Sequence, residues 1–279
     1  MKRSHLKPMV LMSGCVMLVL GVACALYSRF IHPFRPRVNH VMILLPRAHR
    51  ELDGLTIAFV TDTHIGPHFT VEDLEPSIEI LRRVRPDIVL FGGDYISESP
   101  RFLDYATEPL AKMAAAAKIG AWGILGNHDL SNVRERVMGM LAPTGITILT
   151  NEAVEVTTEG GAFWLVGIDD VLLGKPDLDQ AFSNVPADAL RIALWHEGDN
   201  ASRAEPYEPL LLLSGHSHGG QVRLPFLGAL AAPKMGQRYT SGRYEIGSMT
   251  LFVSNGIGMY RPPVRFNCPP EVVIFRLVA

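Results

Sequence analysis

Cysteine is scarce in this 279-residue chain: there are three, and Cys15 and Cys24 fall within one N-terminal apolar run. That leaves Cys268 alone in the remainder, where no internal disulfide can form in any compartment. A cysteine-built zinc module is excluded for the same reason. Acidic residues are absent from positions 1–37, which carry +6 through Lys2, Arg3, Lys7, Arg29, Arg35 and Arg37. The whole chain stands at −2, so residues 38–279 carry −8. An acidic body lacks the basic footprint of a nucleic-acid binder, and no nucleic-acid partner is expected. Small anionic substrates stay compatible with it if metal ions supply positive charge locally. There is no internal repeat, and Ala114–Ala117 is the one low-complexity tract.

Long apolar runs are confined to one place. Met9 to Tyr27 contains no charged side chain and only Ser13 as a polar break, with Lys2, Arg3 and Lys7 before it and Arg29 after. As a helix this run spans roughly 28 Å, close to the thickness of a bilayer core. It reads as an uncleaved single-pass anchor in an inner or plasma membrane. The competing reading is a cleaved signal peptide, since Ala23-Cys24-Ala25 has the small-x-small form. A lipoprotein signal at Ser13-Gly14-Cys15 has too little apolar sequence ahead of it. Basic residues on both flanks leave the sidedness open. Residues 30–37 turn to Pro and Arg, the composition of a short extended linker. The domain organisation expected is therefore 1–37 as anchor and linker and 38–279 as one domain. At 48% hydrophobic residues the chain can build a large core.

After a first strand at Asn39–Leu45 the chain alternates. Leu55–Val60, Ile88–Phe91 and Ala121–Leu125 are short apolar strands. Between them, Leu74, Ile78, Leu81 and Val84 recur at spacings of three or four, which predicts a helix over Val71–Val84. Phe102–Lys118 is a second helix, with Gly120 as its C-cap. The second half is richer in strands, at Thr147–Leu149, Ala153–Val156, Phe163–Ile168, Leu190–Trp195, Leu210–Leu213, Thr250–Ser254 and Glu271–Leu277. Short helices are expected at Asn132–Leu141 and Asp177–Asn184. Strand-helix alternation with fully apolar strands argues a parallel α/β sheet covered on both faces, within a two-sheet core.

Five of these strands end in the same kind of residue. Asp62-Thr63-His64, Gly92-Gly93-Asp94, Gly126-Asn127-His128-Asp129, His196 and Ser214-Gly215-His216-Ser217-His218 each come after an apolar run. In parallel α/β sheets ligands bind beyond the carboxyl ends of the strands. Asp62, His64, Asp94, Asn127, His128, His196, His216 and His218 make a mixed oxygen and nitrogen donor set. It is too large for one tetrahedral zinc and suits two first-row transition ions. Asp-x-His and His-x-His spacing in an extended segment places both side chains on one side of the backbone. The glycines at 92, 93, 126, 215, 219 and 220 allow sharp turns beneath the ions.

These five blocks, in this order across residues 55–220, resemble the calcineurin-like metallophosphoesterase family. The anchor, the run Gly215–Gln221 and the tail Pro263-Val264-Arg265-Phe266 resemble its membrane-anchored bacterial branch. That branch includes hydrolases of UDP-2,3-diacylglucosamine, a lipid A precursor. The resemblance implies an α/β fold, a two-sheet α/β sandwich of the metallophosphoesterase type, here with an N-terminal transmembrane helix. It implies two divalent metal ions (Mn, Fe, Zn or similar), with Asp62, His64 and His218 on one, Asn127, His196 and His216 on the other, and Asp94 bridging. His128 is then the general acid on the leaving oxygen and Asp129 its orienter. The function so implied is hydrolysis of a phosphoester at the membrane, the substrate being lipid-linked. A phosphodiesterase or phosphomonoesterase acting on soluble substrates is the alternative, and a non-catalytic metal-binding scaffold a third possibility.

Other residues have plainer readings. His5, His32, His40, His49 and His68 are expected on the surface or in the linker, and Asp169 and Asp170 in a turn. Cys268 reads as a small buried residue. The stretch from Val222 to Pro233 is apolar and punctuated by Pro and Gly. It is either core or an exposed lip, with Arg223, Lys234, Arg238, Arg243 and Arg261 near enough to face phosphate or headgroups.

Overall fold

Alternating side chains on short strands bury both faces of two six-stranded sheets that pack against each other. The computed structural model describes residues 6–97, 100–131 and 133–279; Lys2, Arg3, His5 and Asn132 lie outside them. The first half runs α1 (Leu6–Phe30), β1 (Arg37–Leu44), β2 (Thr56–Val60), α2 (Glu75–Val84), β3 (Ile88–Phe91), α3 (Leu103–Ala114), β4 (Gly120–Gly123), α4 (Asn127–Leu130), α5 (Arg134–Leu141) and β5 (Ile146–Ile148). The second half runs β6 (Glu152–Thr157), β7 (Ala162–Gly167), α6 (Leu178–Phe182), β8 (Arg191–Leu194), β9 (Leu211–Ser214), β10 (Arg223–Leu224), β11 (Gly228–Ala229), β12 (Gly242–Ile246), β13 (Met249–Val253) and β14 (Glu271–Val278). One sheet has the order β1-β14-β2-β3-β4-β5 and the other β12-β13-β9-β8-β7-β6.

The period-two alternation decides which core each side chain joins. In β2, Ile57 and Phe59 point between the sheets, where they meet Leu165, Ile192, Leu213 and Phe252 of the second sheet. Ala58 and Val60 face the other way, onto Ile78 and Leu81 of α2 and Leu110 and Met113 of α3. The outer face of the second sheet packs Val166, Ala193 and Leu251 under Ala181 and Phe182 of α6. Sheets whose two faces are both apolar thus give three apolar layers.

The sheets are mixed rather than wholly parallel. The C-terminal β14 inserts between β1 and β2, parallel to the first and antiparallel to the second. Each edge of the second sheet ends in an antiparallel pair, β6 with β7 and β12 with β13. β12 was not anticipated, because Arg243, Tyr244 and Glu245 interrupt any apolar run there. α3 stops at Ala114 with Ala115 as its C-cap, and Gly120 instead opens β4 opposite Ile88.

Among the described residues one helical stretch, Ser13–Phe34, is long and apolar enough to cross a membrane, and its most apolar 18-residue window is almost wholly exposed. The segment after α1 is not an extended linker. His32 and Pro33 are buried in a tight turn, Phe34 stacks on Phe69 with centroids 6.0 Å apart, and β1 begins at Arg37. The Arg265 N–H donates to the Ser28 carbonyl at 2.9 Å. The end of α1 is thus fastened to the sandwich, because buried ring surface and a backbone hydrogen bond outweigh the freedom that Pro and Arg would have in water.

The inter-sheet core can be tested at Phe275, whose ring meets Phe252 edge to face at 5.2 Å. Phe275→Ala should destabilise the protein by about 3–5 kcal/mol, read as a lower denaturant midpoint at unchanged slope. A change under about 1 kcal/mol would mean that the two sheets do not share this core.

Candidate metal centre

Asp62 and His64 lie just past β2, Asp94 past β3, Asn127 and His128 open α4 beyond β4, His196 lies past β8, and His216 and His218 past β9. All eight come together. His64 Nε2 lies 3.4 Å from Asp94 Oδ2, and His196 Nε2 lies 3.1 Å from the same oxygen. His218 Nε2 stands 3.5 Å from Asp62 Oδ1 and 3.0 Å from His64 Nε2. Donor atoms cluster as Asp62, His64 and His218, as Asp94, His196 and His216, and as His64, Asp94 and His128. His64 and Asp94 each belong to two of these groups, His64 linking the first to the third and Asp94 the third to the second.

Two rings are aimed by backbone carbonyls. His196 Nδ1 donates to Gly92 O at 2.6 Å, and His216 Nε2 donates to Lys234 O at 2.8 Å. A carbonyl can only accept, so each contact fixes the proton on that nitrogen and turns the other nitrogen inward.

The backbone does not present these residues as a pleated strand would. Asp62, His64, Asp94, His216 and His218 all have φ between 43° and 64°, the left-handed region that side chains other than glycine rarely occupy. The Asp-x-His and His-x-His pairs reach one site through left-handed turns rather than through period-two alternation. Such conformations concentrate where a fold over-determines them for a purpose. The glycines divide their work accordingly. Gly93, Gly219 and Gly220 have positive φ, whereas Gly126 and Gly215 serve close approach. A Cβ at Gly126 would strike the Asp94 carboxylate, and one at Gly215 the Asp62 carboxylate.

Asp129 has a different task from the one its place beside His128 implied. Its two oxygens accept N–H groups from Asp94 (2.7 Å), Tyr95 (2.9 Å) and Gly126 (3.0 Å), so it ties the end of β3 to the start of α4. Burial and the neighbouring Asp94 carboxylate push Asp129 up to about 8, against the pull of those amides. The His128 ring instead stands edge-on to His64 and faces Tyr260, each with centroids 4.8 Å away.

Charge and burial are in tension throughout the cluster. Burial drives His64 down to about 3 and His216 down to about 4, and it raises Asp62 to about 6. His196 goes well above its ordinary value against its own burial, because the Asp94 and Asp62 carboxylates face it. Held neutral by burial, His64 and His216 are in the protonation state that metal ligation needs, whereas the carboxylates favour the protonated form of His196. His196 Nε2 and Asn127 Oδ1 are buried with no hydrogen-bond partner in the protein. Two carboxylates, an amide oxygen and four imidazoles gathered in one buried cluster fit a pair of divalent cations.

The cluster forms the floor of a cavity of about 1040 Å³. Asp94, Asn127, His128, His216 and His218 are at its base, and Val133, Leu172, Leu173 and the segment Ala231–Pro233 make an apolar wall. Of the five cations anticipated, Lys234 and Arg261 line the cavity. Arg223 donates to Gly219 O, Arg238 lies over Tyr239, and Arg243 pairs with Glu245. Arg136, Tyr260, Leu172 and Leu173 were not anticipated. Tyr260, an aromatic in a Gly- and Pro-rich tail, carried some signal in the sequence, whereas Arg136 on a short helix carried none. Asp169 and Asp170 do form a turn, with Asp170 Oδ1 capping Leu173 N–H, and that turn carries the two leucines. His32, expected on the surface or in the linker, is buried, and His68 is not among the residues lining the cavity. Cys268 is buried as expected, its Sγ–H donating to His218 O.

Residues 55–220 match the calcineurin-like phosphoesterase family. The chain is similar to the uncharacterized metallophosphoesterase YkuE of Bacillus subtilis, at 33% identity over 90% of this chain and 88% of that protein. It is also similar to the phosphodiesterase YaeI of Escherichia coli, at 32% identity over 80% of this chain and 82% of that one. Among solved structures, a 5'-nucleotidase precursor of Thermus thermophilus superposes with a TM-score of 0.50 at 11% identity. It aligns with 80% of this chain, which spans about half (54%) of that protein, and the likeness is one of fold alone. The chain belongs to the calcineurin-like phosphoesterase family. It is a phosphoester hydrolase with a dinuclear divalent metal centre.

Asp94 contacts both halves of the donor set and accepts the His128 N–H as well, at 2.9 Å. Asp94→Ala should therefore leave most of the metal unbound and abolish nearly all hydrolysis. Metal analysis finding two ions per chain with near-normal turnover would refute a shared carboxylate at this position.

Proposed function

We propose that this chain is a membrane-held hydrolase of lipid-linked phosphoesters, of the type exemplified by the nucleotide-sugar lipid UDP-2,3-diacylglucosamine. One observation carries the reading: a cavity floored by the clustered Asp, Asn and His side chains and walled by apolar ones lies next to both an exposed apolar hairpin and the end of α1. The hairpin is β10–β11, with Phe226, Leu227 and Leu230 exposed at its tip and beyond it. Core filling is thereby excluded for this stretch. At its base Val222 bridges to Phe266, and the adjoining Arg265 N–H meets Ser28 at the end of α1. Hairpin, cavity rim and helix end are therefore neighbours along residues 260–266. Anchoring α1 in an inner or plasma membrane would hold the mouth of the domain that follows it against the bilayer. A lipid-borne substrate then gains effective concentration that a soluble one does not.

Within the site, Asp62, His64 and His218 would hold one cation and Asn127, His196 and His216 the other, with Asp94 shared. Cations held by these residues would supply an acidified water and offset charge on the phosphoryl oxygens. The chain supplies the rest. Gly92 O and Lys234 O keep two imidazoles correctly turned, and Asp129 keeps Asp94 and Asn127 in register. The His128 imidazole, held against Tyr260, would give its proton to the departing oxygen. Lys234 and Arg261 would meet anionic groups, and Leu172 and Leu173 the apolar part of the substrate. The name of the Escherichia coli relative, a phosphodiesterase, favours a diester linkage.

His128→Ala should retain the metals and lose roughly 10²–10⁴-fold in rate. The loss should shrink for p-nitrophenyl esters, whose leaving group needs little protonation. Loss of metal, or an equal loss of rate across leaving groups, would give His128 a ligand or binding role instead.

Changing Phe226 and Leu227 together to Ser removes the exposed apolar tip, where each large side chain buried in lipid contributes on the order of 1.5–3 kcal/mol. In the full-length protein, hydrolysis of a vesicle-embedded phosphoester should fall at least tenfold while that of a soluble one is unchanged. An unchanged ratio between the two substrates would rule out a membrane role for the hairpin.

A further inference from the structure

One buried charge stands behind the metal centre without lining its cavity. The Arg265 side chain is fully buried, and among the described residues no carboxylate forms an ion pair with it. Its donors are spent on backbone carbonyls. Nε and Nη2 donate to Gly258 O at 3.1 and 2.6 Å, Nη2 also to Asn255 O at 2.8 Å and Gly256 O at 3.3 Å, and Nη1 to Cys268 O at 3.3 Å. A desolvated guanidinium is tolerated only when its fork is satisfied in this way.

The segments it grips bear on one half of the donor set. Along residues 255–258, Ile257 N–H donates to Thr61 O at 3.0 Å and Gly258 N–H to Asp62 O at 2.8 Å. A Cβ at Gly256 would lie 2.8 Å from the Asp62 Cβ, so this strap lies flat against that carboxylate's stem. On the other side Cys268 Sγ–H donates to His218 O at 3.3 Å. Glu271 holds the strap from behind, its Oε1 accepting Asn255 N–H at 2.8 Å. The guanidinium thus bridges the strap behind Asp62 to the turn behind His218. None of these hydrogen bonds of Arg265, residues 255–258, Cys268 and Glu271 goes to Asp94, His196 or His216; the link to the other half is the His216 N–H, which donates to the Asp62 carboxylate at 3.1 Å.

We propose that Arg265 is a positioning residue for the Asp62–His64–His218 half of the metal centre, leaving the Asn127–His196–His216 half untouched. Its own N–H meets Ser28 O, so the same residue joins that half of the centre to the end of α1. The proposal rests on the assignment of the two donor groups to separate cations.

The experiment is equilibrium dialysis of metal-depleted, full-length protein against graded Mn²⁺, read as ions bound per chain. His64→Ala and His216→Ala should each retain one ion. Two ions retained by either would overturn the assignment, and the role of Arg265 with it. With one ion retained by each, Arg265→Lys is added to both; it keeps the charge and loses the fork. In the His216→Ala background the remaining ion should bind about 10–100-fold more weakly, the range for lost outer contacts of metal ligands. In the His64→Ala background its affinity should be unchanged. Equal weakening in both would mean general loosening and would overturn the proposal, as would no weakening in either. Cys268→Ala, which removes only the contact to His218, should shift the same ion in the same direction by a smaller factor. It carries the test should Arg265→Lys not fold, and an effect in the other background alone would count against the proposal.

Discussion

Two buried carboxylates facing the same imidazoles are the constraint to which the rest of this structure answers. Asp62 and Asp94 both come within 4 Å of His64 and His196, in a buried cluster where an unpaired charge is costly. Holding them together requires partners on every side. Backbone amides supply part: the His216 N–H donates to Asp62 and the His128 N–H to Asp94. Divalent cations supply the remainder, which is why a group so poorly balanced by protein alone belongs to a metal-dependent enzyme.

Bringing five strand ends to one point sets the backbone conformations around it. Left-handed turns at five of the ligand-type residues are unfavourable taken singly, and they persist because the packed sheets behind them leave no alternative. Asp129 serves the same end from beneath, using a buried carboxylate as a clamp for three amides. The sandwich is therefore more than a scaffold under the site. Its rigidity stabilises the strained turns, and the inter-sheet core formed by residues such as Phe59, Leu213 and Phe252 supplies that rigidity.

The site's surroundings extend the same logic outward. Glu197, next to His196, is buried and raised to about 9 by that burial and by Asp170 beside it. Its Oε2 accepts Val171 N–H, so the turn carrying Leu172 and Leu173 into the cavity is held from the metal side. On the opposite rim, Gln221 donates to the carbonyls of Tyr260 and Pro262 and accepts the Tyr260 N–H. Both walls of the cavity are thus fixed by residues adjacent in sequence to the donor blocks.

The sequence by itself determined the donor set, the strand ends that carry it and the apolar N-terminal helix. These are local facts: Asp-x-His, Gly-Asn-His-Asp and Gly-His-x-His keep their residues within a few bonds of each other, and an uncharged run of helix length needs no partner to be recognised. Most strands were legible because both of their faces are apolar. Tertiary structure alone decided the rest. The placement of β14 between β1 and β2 joins residues more than two hundred positions apart, and no local pattern encodes a partner at that distance. The left-handed route of the ligand pairs, the turning of Asp129 toward amides and the docking of residues 31–36 all depend on what lies across a gap in space. Arg265 is the extreme case. Beside Pro263 and Phe266 it reads as one more basic residue of the tail, and only the folded carbonyls around it show what that charge holds in place.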